Sequence, residues 1–197
     1  MSTTATTLPN EGAWSVPSRG KIGMMSLIIA ESAIFLIFVA AYIFYIGKSP
    51  DGPTPRQILT IPIFATVCLL SSSITMHFAI SALRKGSSGV FNVLWILTLA
   101  LGAIFIAATA REWHHLITVE NFTIQTNLFG TTYYSLVGLH ASHVVVGLIL
   151  LTIVALFGLA GKVRREHSER CEVIAMYWHF VDAVWVVVFT VVYIVGR

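Results

Sequence analysis

Charged residues are scarce in this chain, and their scarcity argues against a soluble fold. They make up 11% of the 197 residues, whereas 56% are hydrophobic, and a soluble domain carries about 25% charged residues. The basic residues form no stripe of the kind that binds nucleic acid, so we expect no nucleic-acid partner. Cysteine is rare too: Cys68 lies in an apolar run and Cys171 at the edge of a charged loop. Thiols in such different surroundings give neither a disulfide framework nor a metal-binding spacing.

What the sequence has instead is long apolar runs. A helix that crosses about 30 Å of hydrocarbon needs roughly 20 mainly apolar residues, and it must satisfy its backbone polar groups internally. The sequence therefore predicts an all-α, polytopic membrane protein, a bundle of five transmembrane helices. Their predicted ranges are about 22–46, 58–83, 90–111, 132–160 and 172–195, with Pro62 in the first turn of the second. The polar residues 1–20 predict a flexible cytoplasmic tail, and residues 21–197 one transmembrane domain.

The distribution of basic residues predicts the orientation in the membrane. An odd number of spans puts the termini on opposite sides. The N-terminal side carries eight cations, namely Arg19, Lys21, Arg84, Lys85, Lys162, Arg164, Arg165 and Arg170. The other side carries four, namely Lys48, Arg56, Arg111 and Arg197. Because basic loops stay inside, we expect a cytoplasmic N-terminus and an external C-terminus.

A few ionisable side chains lie within the predicted spans, where such groups are costly and tend to mark function. Glu31 and Asp182 each lie about nine or ten residues from the cytoplasmic end, roughly 15 Å deep at about 1.5 Å per residue. The i, i+3 spacing puts His179 with Asp182, and likewise the two histidines of the fourth span, on shared helix faces. The predicted polar seam comprises Glu31, His77, His140, His143, Glu172, His179 and Asp182.

The residue types alone leave four interpretations of this seam open. Histidines on three helices could ligate haem or a metal, although a di-iron carboxylate set and a zinc spacing are absent. Glu31 and Asp182 could relay protons. The side chains could satisfy one another in helix packing, or contact lipid headgroups on the basic side. Other signals, such as the hydroxyls of residues 71–75 and the Arg111–Glu112 pair closing the third span, indicate no chemistry by themselves.

Several stretches together resemble a known family. The last span, EVIAMYWHFVDAVWVVVFTVVYIVG, is similar to the last helix of subunit III of haem-copper oxidases, the cytochrome c and quinol oxidases. TTYYSLVGLHASHVVVGLI resembles the preceding helix of that family, and AESAIFLIFVAAY the helix with a buried glutamate, here Glu31. The similarity covers about residues 20–197 in the right order, and YWHFVDxVW with GLHxxH is a specific combination. It indicates the short, five-helix bacterial form.

The resemblance implies a subunit that is not catalytic alone but belongs to a proton-translocating oxidoreductase complex of aerobic respiration. In that family subunit III carries no haem or copper, which reside in partner subunits. It packs against catalytic subunit I, binds phospholipid and supports proton uptake. The implied partners are oxidase subunits I and II, with subunit IV as a further candidate, in the bacterial inner membrane, and cytochrome c is the expected donor. The alternatives are subunit III of a quinol oxidase, an accessory homologue of a nitric oxide reductase, and a stand-alone membrane haem enzyme.

Overall fold

The chain folds into long helices, as its apolar runs predict. A computed structural model describes residues 18–48 and 53–196, and this part contains no strand. The helices are α1 (Arg19–Tyr45), the short α2 (Pro55–Ile58), α3 (Ile63–Arg84), α4 (Ser88–Thr118), α5 (Leu128–Leu159) and α6 (Ser168–Phe189). Five helical segments are long and apolar enough to cross a membrane, the last running from Arg165 to Val195. The all-α prediction and the number of spans are confirmed.

Local sequence explains where these helices begin and end. The Ser18 side chain accepts a hydrogen bond from the backbone N–H of Lys21, and Asn127 Oδ1 accepts one from Gly130, 2.8 Å away. Both side chains satisfy an amide that the first helical turn leaves free. At the other end, Gly86 follows α3 and Gly161 follows α5, with φ of 82° and 69°. These left-handed conformations close the helices and favour glycine, which has no Cβ.

Several predicted bounds differ from the observed ones. The second predicted span, 58–83, begins too early, since α3 starts at Ile63 and Pro62 lies just before it instead of inside its first turn. The proline disfavours a helical conformation at the residue before it, so the helix cannot extend back through Ile61. The third span was predicted to end at 111, yet α4 continues to Thr118. The apolar run marks the hydrocarbon core, whereas the helix persists into the polar region beyond it.

The remaining bounds differ by less. α5 begins at Leu128, before the predicted 132, and a 3₁₀ turn from Arg165 to His167 precedes α6. The last span ends in a π-helix, Thr190–Val195, which no sequence pattern indicated. Of the predicted tail, residues 1–17 lie outside the described residues, and Arg19 already belongs to α1. The division into a tail and a domain stays a prediction.

The core of the bundle is built around buried tryptophans. The Trp178 ring lies so close to Gly102 on α4 and Gly147 on α5 that an added Cβ would come within 2.7 Å and 2.8 Å of it. These glycines therefore allow α6 to approach both neighbours. Trp178 Nε1 donates to Ser72 Oγ at 2.8 Å, and Trp95 Nε1 donates to the Leu151 carbonyl at 2.9 Å. Packing of the indole rings and hydrogen bonds from their N–H groups thus stabilise the interior.

The two ends of the bundle differ in character. The start of α1, the end of α3 and the start of α6 meet at one end, where Lys21 and Arg84 both contact Glu172. We call this the basic end. The opposite end, which we call the distal end, contains the segment before α3, the end of α4 and the π-helix. The polar residues predicted from the sequence are distributed between these ends.

Candidate functional site

The predicted polar seam separates into distinct clusters, each joining different helices. At the basic end, Glu172 Oε2 lies 3.0 Å from Lys21 Nζ, and Arg84 Nε donates to Glu172 Oε1 at 2.7 Å. One carboxylate of α6 thereby holds the start of α1 and the end of α3. The Arg84 side chain is 60% exposed, so each ion pair contributes only about 0.2–1 kcal/mol. The main effect of these two ion pairs is to fix three helix ends relative to one another.

A second cluster joins α1 to α5. Glu31 Oε2 lies 3.1 Å from His143 Nε2, and His143 Nδ1 lies 2.8 Å from the Leu139 carbonyl. A carbonyl only accepts, so Nδ1 carries a hydrogen. A neutral ring then has none on Nε2. The contact between Glu31 and His143 therefore needs one proton, held on the carboxyl or on the imidazole. The Phe35 ring packs on the His143 ring, with 4.9 Å between the ring centroids. Tyr177 Oη donates a hydrogen bond to the His143 carbonyl at 3.2 Å.

A third cluster joins α3 to α6 through a serine. Ser73 Oγ lies 2.9 Å from His179 Nδ1 and donates a hydrogen bond to Asp182 Oδ2. Because the hydroxyl has one hydrogen, which goes to the carboxylate, it must accept from His179. Asp182 is 3% exposed, and its Oδ1 has no partner among the described residues. Asp and His thus share a face as predicted, and a hydroxyl on the neighbouring helix joins them.

The two remaining histidines have different surroundings. His140 is completely buried, and neither ring nitrogen has a hydrogen-bond partner in the described chain. Its ring stacks on the Trp185 ring with 5.0 Å between centroids, and the centroid of the Phe105 ring lies 5.9 Å from that of His140. His140 therefore belongs to the aromatic core. His77 is exposed and lines a groove of about 320 Å³ at the basic end. This basic groove is lined by Lys21, His77, Arg84, Glu172 and His179, among others.

Comparison with known proteins identifies the family. Residues 4–197 match the family described as cytochrome c oxidase subunit III. The chain belongs to this family. The subunit 3 proteins of Alkalihalophilus pseudofirmus and Synechocystis are 30% and 35% identical to it, over 89% and 90% of this chain and 86% and 76% of theirs. Both are named cytochrome c oxidase subunit 3. The cytochrome bo(3) ubiquinol oxidase subunit 3 of Pseudomonas aeruginosa is 33% identical, over 88% of this chain and 84% of its own.

Membership of the subunit III family confirms the resemblance seen in the last two spans, and it does not favour the stand-alone haem enzyme. Within residues 18–48 and 53–196, no three His, Cys, Asp or Glu side chains converge as metal ligands would. His143 and His179 are each engaged in hydrogen bonds, and His140 is enclosed by rings.

Sequence reasoning missed two functional partners within this subunit III fold. Ser73 was noted only as one hydroxyl of residues 71–75, because serines in helices commonly bond to their own preceding turn. Ser72 does so with the Leu69 carbonyl, whereas Ser73 reaches across to α6. Glu112 was noted only as the residue that closes the third span. In the structure it lines a cleft at the distal end.

Proposed function

We propose that the chain is the non-catalytic subunit III of a bacterial proton-pumping haem-copper terminal oxidase, and that it stabilises the catalytic subunit. The single observation that carries this proposal is that the polar side chains inside the bundle bond mainly to one another. Glu31 bonds to His143, and Ser73 bonds to His179 and Asp182. Oxygen reduction and its haems and copper would then belong to partner subunits I and II, and a subunit IV is a further candidate partner.

Deletion of this chain tests the proposal. The oxidase purified without it should keep its haems and copper, measured by optical spectra and metal analysis, and should keep a substantial initial rate. It should lose activity sooner during turnover, because the catalytic subunit would lack support. A complex that loses all metal centres while subunit I remains intact would contradict an accessory role. A visible haem spectrum of the isolated chain would favour the stand-alone haem enzyme instead.

We propose two uses for the polar seam within that complex. The basic groove, with Lys21 and Arg84 at its edge, suits the phosphate of a phospholipid, since anionic headgroups attract basic residues at the membrane surface. The Glu31–His143 pair, which holds one proton, would support proton uptake by the neighbouring subunit. Lipid analysis of Lys21→Ala and Arg84→Ala complexes checks the first use. Turnover of the Glu31→Gln complex at different pH values checks the second.

The side of the membrane and the electron donor are further proposals. The cations of the basic end support a cytoplasmic N-terminus in the bacterial inner membrane, with the C-terminus outside. A membrane-impermeant thiol reagent should therefore label a cysteine introduced at Glu120 but not one at Glu166 in intact spheroplasts. Cytochrome c is the expected donor, and quinol the alternative. Because the donor acts on another subunit, oxidation of each donor by the purified complex decides between them.

A further inference from the structure

A cleft at the distal end has the features of a binding site that the polar seam does not include. This distal cleft has a volume of about 510 Å³ and opens to the surface between the segment before α3, the end of α4 and the π-helix. Its polar lining includes Arg111, Glu112 and Glu120, and its inner lining includes Trp185 and Tyr193. Glu112 lies six residues before the end of α4, about 9 Å along the helix. The apolar run of this span ends at about residue 111, so we expect Glu112 to lie at the boundary between hydrocarbon and headgroups.

Glu112 is a half-buried carboxylate with unused bonding capacity. Its Oε1 accepts one long hydrogen bond, 3.4 Å from Tyr193 Oη, and that hydroxyl lies 3.5 Å from Tyr133 Oη. Oε2 has no hydrogen bond or ion pair with any residue in the described ranges. A partly buried carboxylate is costly unless a cation or several donors satisfy it. Glu112 Oε2 is therefore able to accept a hydrogen bond from a donor bound in the cleft.

The backbone is adapted to form this cleft. Tyr193 lies in the π-helix, where Gly196 N donates to the Val191 carbonyl at 2.8 Å in a widened turn. π-turns are frequent at functional sites, and this one closes the last span. Tyr193 is 3% exposed, and its hydroxyl reaches Glu112 from the π-helix. The carboxylate is thereby held at the cleft instead of turning to the membrane surface.

The charge of the lining selects the kind of headgroup. Two carboxylates, Glu112 and Glu120, line the distal cleft beside Arg111 and His115, whereas the single carboxylate of the basic groove, Glu172, lies beside Lys21 and Arg84. A net-anionic headgroup would be repelled by the distal carboxylates. A zwitterion with an ammonium group and a phosphate fits, since the ammonium can donate to Glu112 while the phosphate accepts from Arg111.

The apolar wall of the cleft continues into an exposed apolar surface on α3. Ile63 and Phe64, at the start of α3, are 63% and 72% exposed and line the cleft. Val67, Ile74 and Phe78 continue an exposed apolar stripe down the same helix. An acyl chain could follow this stripe from a headgroup held in the cleft. A soluble ligand would gain nothing from it.

We propose that the distal cleft binds a phospholipid with a primary ammonium headgroup, the chemistry of phosphatidylethanolamine. Glu112 holds the ammonium, Arg111 holds the phosphate, and an acyl chain lies along α3. This inference needs only a membrane-embedded chain, so it stands or falls separately from the proposed oxidase role. A basic side chain of a partner protein is the competing occupant of the same carboxylate.

Native mass spectrometry of the delipidated intact complex tests the proposal. Phosphatidylethanolamine, phosphatidylcholine and phosphatidylglycerol with identical acyl chains are added back separately. One phosphatidylethanolamine per chain should bind in preference to the other two, because a choline headgroup has no N–H to donate. Glu112→Gln should weaken that binding about tenfold, the loss expected for one charge-assisted hydrogen bond. Glu166→Gln, an exposed carboxylate at the basic end, is the matched control and should change nothing.

A second pair of variants tests the proposal independently, in case the Glu112→Gln chain does not assemble into the complex. Phe64→Ala removes part of the cleft wall, whereas Phe157→Ala removes an exposed ring on α5, away from both the cleft and the α3 stripe. Only the first should lower phosphatidylethanolamine binding. Equal binding of all three lipids, or binding unchanged by both Glu112→Gln and Phe64→Ala, would overturn the proposal. So would a photo-reactive residue at Ile61 that captures another protein and no lipid.

Discussion

At the scale of single residues, Glu31 and His143 behave as one unit because the proton between them satisfies both. Gln at position 31 can still donate to His143 Nε2, whereas Ala cannot. We therefore expect Glu31→Gln to leave the stability of the complex within about 0.5 kcal/mol of wild type, since such a conservative change creates no cavity. Glu31→Ala should cost about 1 kcal/mol, because it leaves a partly buried imidazole nitrogen without a partner.

Thermal denaturation of the purified complex measures the stability of both variants of position 31. The fraction of this chain that stays bound to the complex is recorded as the temperature rises. Ser142→Ala serves as a control for removing one helix polar group, since Ser142 is exposed and donates only to its own Leu139 carbonyl. Equal destabilisation by Gln and Ala would show that the carboxylate itself, with its charge, is required. The proton-sharing account of the pair would then be wrong.

The sequence identified the polar residues of the seam but not how they pair. Glu31 and Asp182 stood out because a carboxylate inside an apolar run is rare, and this needs no structure. Their partners depend on how each helix is rotated about its axis. One face of α5 carries both His140 and His143, yet the first meets aromatic rings and the second a carboxylate. Ser73 was overlooked because hydroxyls are common in membrane helices and usually bond locally.

At the scale of helices, close approach around Trp178 is the feature most sensitive to substitution. Gly147→Ala would put a Cβ 2.8 Å from the Trp178 ring, so the ring or a helix must shift. We expect a loss of about 1–3 kcal/mol in the free energy of unfolding, the usual cost of overpacking a core. Gly23→Ala is the matched control, because nothing lies within 4 Å of its added Cβ. Alanine also favours a helix over glycine, so this control should be neutral or slightly stabilising.

Unfolding in mixed micelles, monitored by tryptophan fluorescence, compares the free energies of unfolding of the two glycine variants. A Gly147→Ala variant as stable as Gly23→Ala would mean that α5 and α6 are not packed as tightly as the structure has them. The existence of each helix was predictable from its apolar run. The glycine contacts were not, because a small residue in a membrane helix indicates close approach without naming the side chain that fills the space.

At the scale of the whole molecule, the polar clusters act as ties between helices that are distant in sequence. Glu31–His143 joins α1 to α5, Ser73–Asp182 joins α3 to α6, and Glu172 joins both α1 and α3 to α6. In hydrocarbon the hydrophobic effect does not hold helices together, so packing and such hydrogen bonds must do so. Loss of one tie should loosen the bundle without removing any group that could take part in oxygen reduction.

In the assembled oxidase we therefore expect the loss of one tie to affect the active lifetime more than the initial turnover rate. Asp182→Ala and His179→Ala should leave the initial turnover rate close to wild type but shorten the active lifetime about tenfold, the factor that about 1.4 kcal/mol of lost support would give. Continuous oxygen-uptake traces measure both quantities in one experiment. Thr152→Ala is the control, since its exposed hydroxyl bonds only to its own helix. A fully assembled Asp182→Ala complex with no initial activity would contradict a supporting role, because it would place the carboxylate in the chemistry itself.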